Sequence, residues 1–269
     1  MGWSQTNTRF YKLILSFVKM KAIIPAAGYA TRMYPLTLDK PKALLPVNER
    51  PVIEYVIDKL LKIKEIDEII VVTNDKFFDS FLNWSKNFKI NRKLRVLNDG
   101  TSSNETRLGT IGDIKFVINT LGIKDELVVV NSDNLFSFDL FSMYEDFKRR
   151  EKTLIAVYDV GNLEIAIQMG NPKLDIDNRV IDFKEKDKNT ESTLCSIGIY
   201  FFPENAGDLI ESYLIGGNSP DTSGHFIEWL YKNRDIYGYV FGNDRDYWYD
   251  IGSLDAYNEA NEFLKSINK

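Results

Sequence analysis

The sequence predicts an α/β fold: a doubly wound, mostly parallel sheet with helices on both faces and an antiparallel extension. Three observations carry this expectation. Short apolar runs at 20–24 (MKAII), 68–73 (EIIVVT) and 127–130 (LVVV) suit strands buried on both faces. The segments between them carry apolar residues at helical spacing, and strands alternating with helices build a parallel sheet. From Thr153 onward, short alternating strands follow closely on one another, which suits antiparallel pairing.

A chain of 269 residues, 44% of them hydrophobic, can bury a full core, and a single domain over 20–269 is expected. A net charge of −5 argues against general binding to nucleic acid or to a membrane surface, since both need a basic face. No run approaches 18 apolar residues, so no membrane-spanning helix is expected. Cys195 is the only cysteine and His225 the only histidine. That excludes an internal disulfide, a cysteine-rich zinc site and a multi-histidine metal centre, and fits a reducing, cytoplasmic compartment. Chemistry then falls to carboxylates, lysine and arginine.

Residues 1–19 form an extension ahead of the first strand. Phe10, Leu13, Ile14 and Phe17 fall at i, i+3, i+4 and i+7, the spacing of a helix with one apolar stripe. Three readings stay open: a start-site artefact, a helix on the domain surface, or a contact in a homo-oligomer.

The loop 25–47 (PAAGYATRMYPLTLDKPKALLPV) leaves the first strand at its carboxyl end, where open α/β sheets bind ligands. Ala26, Ala27, Gly28, Ala30 and Thr31 are small, so backbone N–H groups can approach an anion such as phosphate. Arg32 and Lys42 add two cations, a fork and a point charge, that could grip a triphosphate. Pro35, Pro41 and Pro46 stiffen the segment. The bland alternative is a surface loop whose cations face water. A dinucleotide-binding G-x-G-x-x-G loop fits poorly, because only Gly28 of its glycines is present.

Pro51 to Lys64 reads as a helix with proline at its first position. Glu68–Thr73 follows as a strand, Phe77–Phe88 as a helix and Leu94–Leu97 as a strand. Residues 98–105 (NDGTSSNE) are a loop by composition, and 108–112 (LGTIG) open a helix running to Leu121. The strand Leu127–Val130 ends in Asn131-Ser132-Asp133-Asn134, which puts Asp133 on the same rim as the first loop. A carboxylate beside a triphosphate is repulsive unless a cation lies between them, and Mg²⁺ favours one or two carboxylates plus phosphate oxygens. A turn Asp capping the next helix is the alternative.

In the second half, strands are expected at Leu154–Tyr158, Leu163–Met169, Lys173–Ile176, Val180–Lys184 and Thr193–Phe202, with a hairpin turn at Asp177-Asn178-Arg179. The run 184–188 (KEKDK) is, on composition alone, a solvated edge. Gly198, inside its strand, admits a close approach. Cys195 reads as a packed core residue, and His225 as a helix-start or packing residue. Ser253 is the expected N-cap of a last helix, Leu254–Ile267.

Taken together, residues 20 to about 265 resemble the sugar-phosphate nucleotidylyltransferases in motif and order. The matching residues are Thr31-Arg32, Pro35-Leu36-Thr37 and Pro41-Lys42-Ala43-Leu44-Leu45-Pro46-Val47, then Asp133-Asn134, Glu185-Lys186, the Gly198 strand, and Trp248-Tyr249-Asp250-Ile251-Gly252. Ala27 and Ala30 stand where many members have glycine, and Asp187 stands where proline usually follows the Glu-Lys pair.

The resemblance implies a Rossmann-like sheet and the transfer of NMP from an NTP to a sugar 1-phosphate, with pyrophosphate leaving. It implies that Asp133 and Asp250, 117 positions apart, meet at one Mg²⁺. Arg32 would stabilise pyrophosphate, Lys42 the transferred group and Lys186 the acceptor phosphate. Glu185 would contact acceptor hydroxyls beside Ser196 and Gly198. The nucleotide would lie on Ala26, Ala27 and Gly28, with its base against Gly109 and Asn104. Glucose 1-phosphate with dTTP or UTP is the first substrate expectation. Guanylyl transfer to mannose 1-phosphate, cytidylyl transfer to phosphocholine, and a non-catalytic nucleotide-sugar-binding regulator are the alternatives. No hexapeptide repeats occur, so an appended acyltransferase domain is not expected.

Overall fold

A computed structural model describes residues 19–242 and 246–267. The apolar stripe Phe10, Leu13, Ile14 and Phe17 lies outside the described residues.

Strand β1 (Met20–Pro25) leads through the long loop to a hairpin of β2 (Pro46–Val47) and β3 (Arg50–Pro51), then helix α1 (Val52–Leu60). Asn48 and Glu49 both have positive φ (46° and 68°), as a two-residue type I′ turn demands. There follow β4 (Ile66–Thr73), α2 (Phe78–Asn87), β5 (Lys93–Asn98), α3 (Thr110–Leu121), β6 (Glu126–Val130), β7 (Asn134–Phe136) and α4 (Leu140–Arg150). The second half holds β8 (Leu154–Asp159), α5 (Leu163–Ala166), β9 (Gly170–Leu174), β10 (Val180–Glu185) and β11 (Leu194–Phe202). It closes with α6 (Ala206–Ile215), α7 (Ser223–Asn233), β12 (Tyr237–Phe241), β13 (Trp248–Asp250) and α8 (Leu254–Ile267).

Strands β5, β4, β1 and β6 pair in that order, all parallel, so their carboxyl ends share one rim. Antiparallel β11 borders β6, and β9 and β10 continue from it. The other edge of β11 pairs with β8, to which β12 adds in parallel, a parallel pair inside an otherwise antiparallel extension.

Alternation along the strands fills both faces. Ile23, Ile70 and Val129, aligned by the register, pack on one face against Ile111, Ile114 and Val117 of α3, Ile210 of α6 and Phe226 of α7. Ala22, Ile24, Ile69 and Val128 pack on the other against Ile53 and Ile57 of α1, Phe81 of α2 and Phe147 of α4. Each fully buried Ile, Val or Phe contributes roughly 1.5–3 kcal/mol. A third, smaller cluster joins Met33 and Leu45 of the long loop, Leu135 of β7 and Ile251 to Ala260 and Leu264 of α8. That cluster fixes the first loop relative to the β7–β13 ribbon.

One expected strand is a helix. Residues 163–166 form α5 because Asn162 caps it, its Oδ1 accepting from the Glu164 N–H at 2.8 Å. The apolar residues that suggested alternation, Leu163 and Ile165, are 47% and 43% exposed, whereas Ala166 is buried. The strand expected at Lys173–Ile176 is β9, which runs from Gly170 to Leu174 and so starts and ends earlier in the chain than expected. Asp175 ends it by accepting from the N–H groups of Asp177 and Arg179, both at 2.9 Å, with Asn178 left-handed at the turn. Among the described residues no helix is long and apolar enough to cross a membrane.

Candidate active site

The loop after β1 is tied to β4. The Ala26 N–H donates to the Val72 carbonyl at 2.8 Å, and Asn74 Nδ2 to the Ala27 carbonyl at 2.7 Å. A Cβ added at Gly28 would meet nothing within 4 Å, so this glycine leaves open space above the rim. Ala30 is left-handed (φ 47°), a conformation in which a Cβ is strained, and Thr37 Oγ1 holds its carbonyl at 2.7 Å. Alanine, where many family members have glycine, is thus held in a backbone region that favours glycine.

Lys42 opens a 3-10 turn whose Ala43 and Leu44 are buried. Its Nζ donates to Asp133 Oδ2 at 2.5 Å, with both side chains about one-fifth exposed. Asp133 lies in the turn between β6 and β7. Strand β13 pairs antiparallel with β7, setting Asp250 opposite Asn134, and the Ile251 N–H donates to the Asp133 carbonyl at 3.0 Å. The Trp248 indole N–H donates to Asn134 Oδ1 at 2.9 Å and locks the ribbon. Asp133 and Asp250 thus sit side by side, as the resemblance implied.

The charges act on one another. Burial lowers the Lys42 ammonium, but Asp133 and Asp250 hold it above its ordinary value. Burial likewise raises Asp133, and the Lys42 ammonium outweighs it, keeping this carboxyl below the usual range. Asp250 is pushed up to about 7 by desolvation and by the Asp133 charge. Two carboxyls, Asp133 and Asp250, converge on the Lys42 ammonium, and the Arg32 guanidinium acts on the same cluster. Two carboxylates are a donor set that Mg²⁺ takes, completed by phosphate oxygens and water. Among the described residues no group of three or more His, Cys, Asp or Glu could hold a metal, so a site made wholly of protein ligands is not formed there.

Two cavities meet at this cluster. The first is lined by Ala26, Ala27, Gly28, Lys42, Gly109 and Asp133. The second is lined by Arg32, Glu185, Lys186, Ser196, Gly198 and Asp250. Thr110, Asn131 and Asp133 belong to both, so the two cavities are two ends of one cleft.

In the second cavity Glu185 ends β10 and packs against the start of α7. A Cβ on Gly224 would lie 1.8 Å from Glu185 Oε2, so only glycine lets the carboxylate this close to the helix N-terminus. Burial raises Glu185, and Lys186 and His225 draw it back. Lys186 is left-handed (φ 56°), its N–H donating to the Met169 carbonyl at 2.9 Å. Ser196 is 7% exposed and its Oγ has no partner. Gly198 (φ 72°) allows the close approach expected of it: a Cβ there would be 2.3 Å from Asn131 Nδ2. Cys195 is fully buried, and burial pushes its thiol up to about 12, so it is packing and not a nucleophile. His225 sits in the first turn of α7 beside its N-cap, Thr222, with Nδ1 2.9 Å from Oγ1.

Every site residue named from the sequence lines this cleft except Asn104. Asn104 contributes its carbonyl to Arg107 Nη1 at 2.8 Å. The sequence reading missed Arg107, Asp113 and Asp221, which line the first cavity. Asp113 carried a signal, a charge at a helix position flanked by buried Ile111 and Ile114. The Arg107–Asp221 ion pair spans 114 positions and had none.

A sequence model of the nucleotidyl transferase family matches residues 21–267. The chain belongs to that family. Among nucleotidyl transferases of known name, the bifunctional protein GlmU of Methanocaldococcus jannaschii is 29% identical over 248 residues, 91% of this chain and 54% of that protein. A Sulfolobus acidocaldarius protein named for mannose-1-phosphate guanyl transfer is 33% identical over 205 residues, 73% of this chain and 52% of that protein. The chain spans about half the length of these relatives. The crystal structure of a UDP-glucose pyrophosphorylase with UDP-glucose superposes with a TM-score of 0.77 at 21% identity, covering 92% of this chain and 99% of that one. The sheet with its antiparallel extension is therefore the nucleotidyl transferase fold.

Proposed function

We propose that the chain transfers NMP from an NTP to a sugar 1-phosphate. An acceptor phosphate oxygen attacks the α-phosphorus, the bond from that phosphorus to the β-phosphate oxygen breaks, and pyrophosphate leaves with the electron pair. The observation that carries this reading is the joining of the two cavities at Asp133, with Lys42 and Asp250 beside it. Donor and acceptor would meet where the charges are concentrated.

Transfer of this kind needs positioning and charge neutralisation more than covalent help. The loop 26–28 receives the triphosphate, Lys42 offsets charge building on the transferred group, and Arg32 faces the departing pyrophosphate. Glu185 accepts from acceptor hydroxyls, with Ser196 and the open backbone at Gly198 completing that wall, and Lys186 holds the acceptor phosphate. Asp133 and Asp250 would hold Mg²⁺, which when bound supplies neutralisation of the phosphate charge.

Motif order favours glucose 1-phosphate as acceptor with dTTP or UTP as donor, and the UDP-glucose neighbour is compatible with that acceptor. The relative named for mannose-1-phosphate guanyl transfer makes mannose 1-phosphate with GTP the pair to compare. A regulator that only binds nucleotide sugar has no need of two crowded carboxylates facing one lysine. The test is product analysis after incubation with Mg²⁺, each of five NTPs and a panel of sugar 1-phosphates and phosphocholine. A nucleotide-linked product in one pairing supports the proposal. Binding of nucleotide sugar with no product in any pairing would replace it with the regulatory reading.

A further inference from the structure

The donor cavity contains a carboxyl group that phosphate chemistry does not need. Asp113 lines it from the first turn of α3 and is 4% exposed. Its Oδ1 is sealed and has no hydrogen-bond partner, and Oδ2 of Asp99, the residue after β5, is in the same condition. The two carboxyls are hydrogen-bonding neighbours. Two bare acceptor oxygens held together out of water repel, whereas a proton on one donates to the other and satisfies both. The start of α3 favours a charge on Asp113, but burial beside a second carboxyl outweighs it and pushes Asp113 up to about 8.

The other charged groups around the cavity are engaged elsewhere. Lys42 is paired with Asp133, and Arg107 with Asp221, Nε and Nη2 each 3.0 Å from an oxygen. Asp75 accepts from Asn98 Nδ2 at 2.8 Å, and it and Glu105 act on Tyr29. Among the described residues, the charge that acts on Asp113 is that of Asp99.

Asp99 also anchors a buried network that reaches the loop after β1. Its Oδ1 accepts from the Thr101 N–H at 2.7 Å and from Thr101 Oγ1 at 2.8 Å. The Thr101 carbonyl accepts in turn from the Asp75 N–H at 2.9 Å and from Tyr29 Oη at 3.1 Å. Tyr29 is buried and directly follows Gly28. Ile111 and Ile114 hold α3 in the core, so when the two carboxyls repel, Asp99 and its loop are the side that gives way. Movement of Asp99 shifts Thr101 and loosens its hold on Tyr29.

We infer that Asp113 and Asp99 are positioning residues for the NTP: joined through one proton, they fix Thr101 and Tyr29, and with them the loop that receives the triphosphate, so donor binding depends on that proton. The inference rests on the nucleotidyl transfer reading, in which this cavity takes the NTP. It invokes no contact with the base, so the dependence is common to all NTPs.

The test is equilibrium binding of ATP, CTP, GTP, UTP and dTTP, each with Mg²⁺, to the full chain as a function of pH. The Asp113→Asn amide donates to Asp99 at every pH, and this variant shares every other titration with wild type. Between pH 6.5 and 9 the wild-type Kd should rise about tenfold more than that of Asp113→Asn, the factor by which the protonated fraction of a group with a pKa near 8 falls. Asp99→Asn, donating in the reverse direction, should flatten the profile in the same way, and it serves if Asp113→Asn does not fold. Tyr29→Phe keeps the acid pair but cuts the tie to the loop, so it should weaken NTP binding at pH 6.5 by about threefold or more. Profiles that run parallel in wild type and the asparagine variants would overturn the inference and leave nucleotidyl transfer standing. So would NTP binding unaltered by Tyr29→Phe. Failure of all five nucleotides to bind wild type at any pH would overturn the nucleotidyl transfer reading as well.

Discussion

Lys42 and Asp133, 91 positions apart, meet with Nζ 2.5 Å from Oδ2, and the β7–β13 ribbon brings Asp250 to the same point. Three segments that the sheet would otherwise leave independent are thereby fixed to one another: the loop after β1, the turn after β6 and the strand before α8. The arrangement crowds two carboxyls at the junction of two cavities, which is unfavourable except where cations such as the Lys42 ammonium, the Arg32 guanidinium or a bound metal offset their repulsion.

Asp250→Asn should separate stability from activity. The Asp250 carboxyl is raised to about 7 in the folded chain, so the folded state keeps a proton that the unfolded chain loses near an ordinary carboxylate pKa of about 4. Stability then falls as pH rises through that window, and the loss is complete above about 7. In chelator, thermal melts of Asp250→Asn should lie above wild type at pH 8 and converge with it at pH 4. Turnover should fall on the order of 10² to 10³. A variant less stable than wild type at pH 8 would mark the carboxylate as structural.

Gly224→Ala should act on the acceptor alone. Its methyl would occupy the place of Glu185 Oε2, and the side chain must swing away from the start of α7. Steady-state kinetics should show a rise in KM for the sugar phosphate of about tenfold or more, with the KM for NTP nearly unchanged. Equal rises in both would mean that Glu185 does not face the acceptor.

Much of this was legible in the sequence. The buried parallel strands announced themselves as continuous apolar runs, and the rim loop as small residues followed by Arg32 and Lys42. The helix at 163–166 was not legible as such, because Leu163 and Ile165 mimic a strand's alternation and the deciding feature is one capping residue, Asn162. Asp250 could be placed beside Asp133 only through family resemblance, since no local pattern pairs residues that distant. The position of Asp99 against Asp113 depends on how the end of β5 meets α3, which neither segment encodes by itself.

Gly198→Ala should destabilise by about 1–2 kcal/mol, from the left-handed backbone alone. The clash with the Asn131 side chain adds to that. Denaturant unfolding should show the shift in midpoint with m unchanged. An unaltered midpoint would show that β11 relaxes at this point.

Asp113→Asn should change the pH dependence of stability. Asp113 keeps its proton to about 8 in the folded chain, whereas the unfolded chain loses it near 4, so wild-type stability falls as pH rises between those values. The asparagine variant lacks that slope, so its stability relative to wild type should increase from pH 5 to pH 8.5, by at most a few kcal/mol. Melts that run parallel across that range would contradict a proton retained on Asp113.

The most direct measurement is pyrophosphate release with Mg²⁺ across the five NTPs and the acceptor panel, with Asp133→Asn and Lys42→Ala as paired blanks. Nucleotidyl transfer requires release that depends on both an NTP and one acceptor and that falls on the order of 10² to 10³ in each blank. Release that persists in both blanks, or none from a folded, nucleotide-binding wild type, would contradict it.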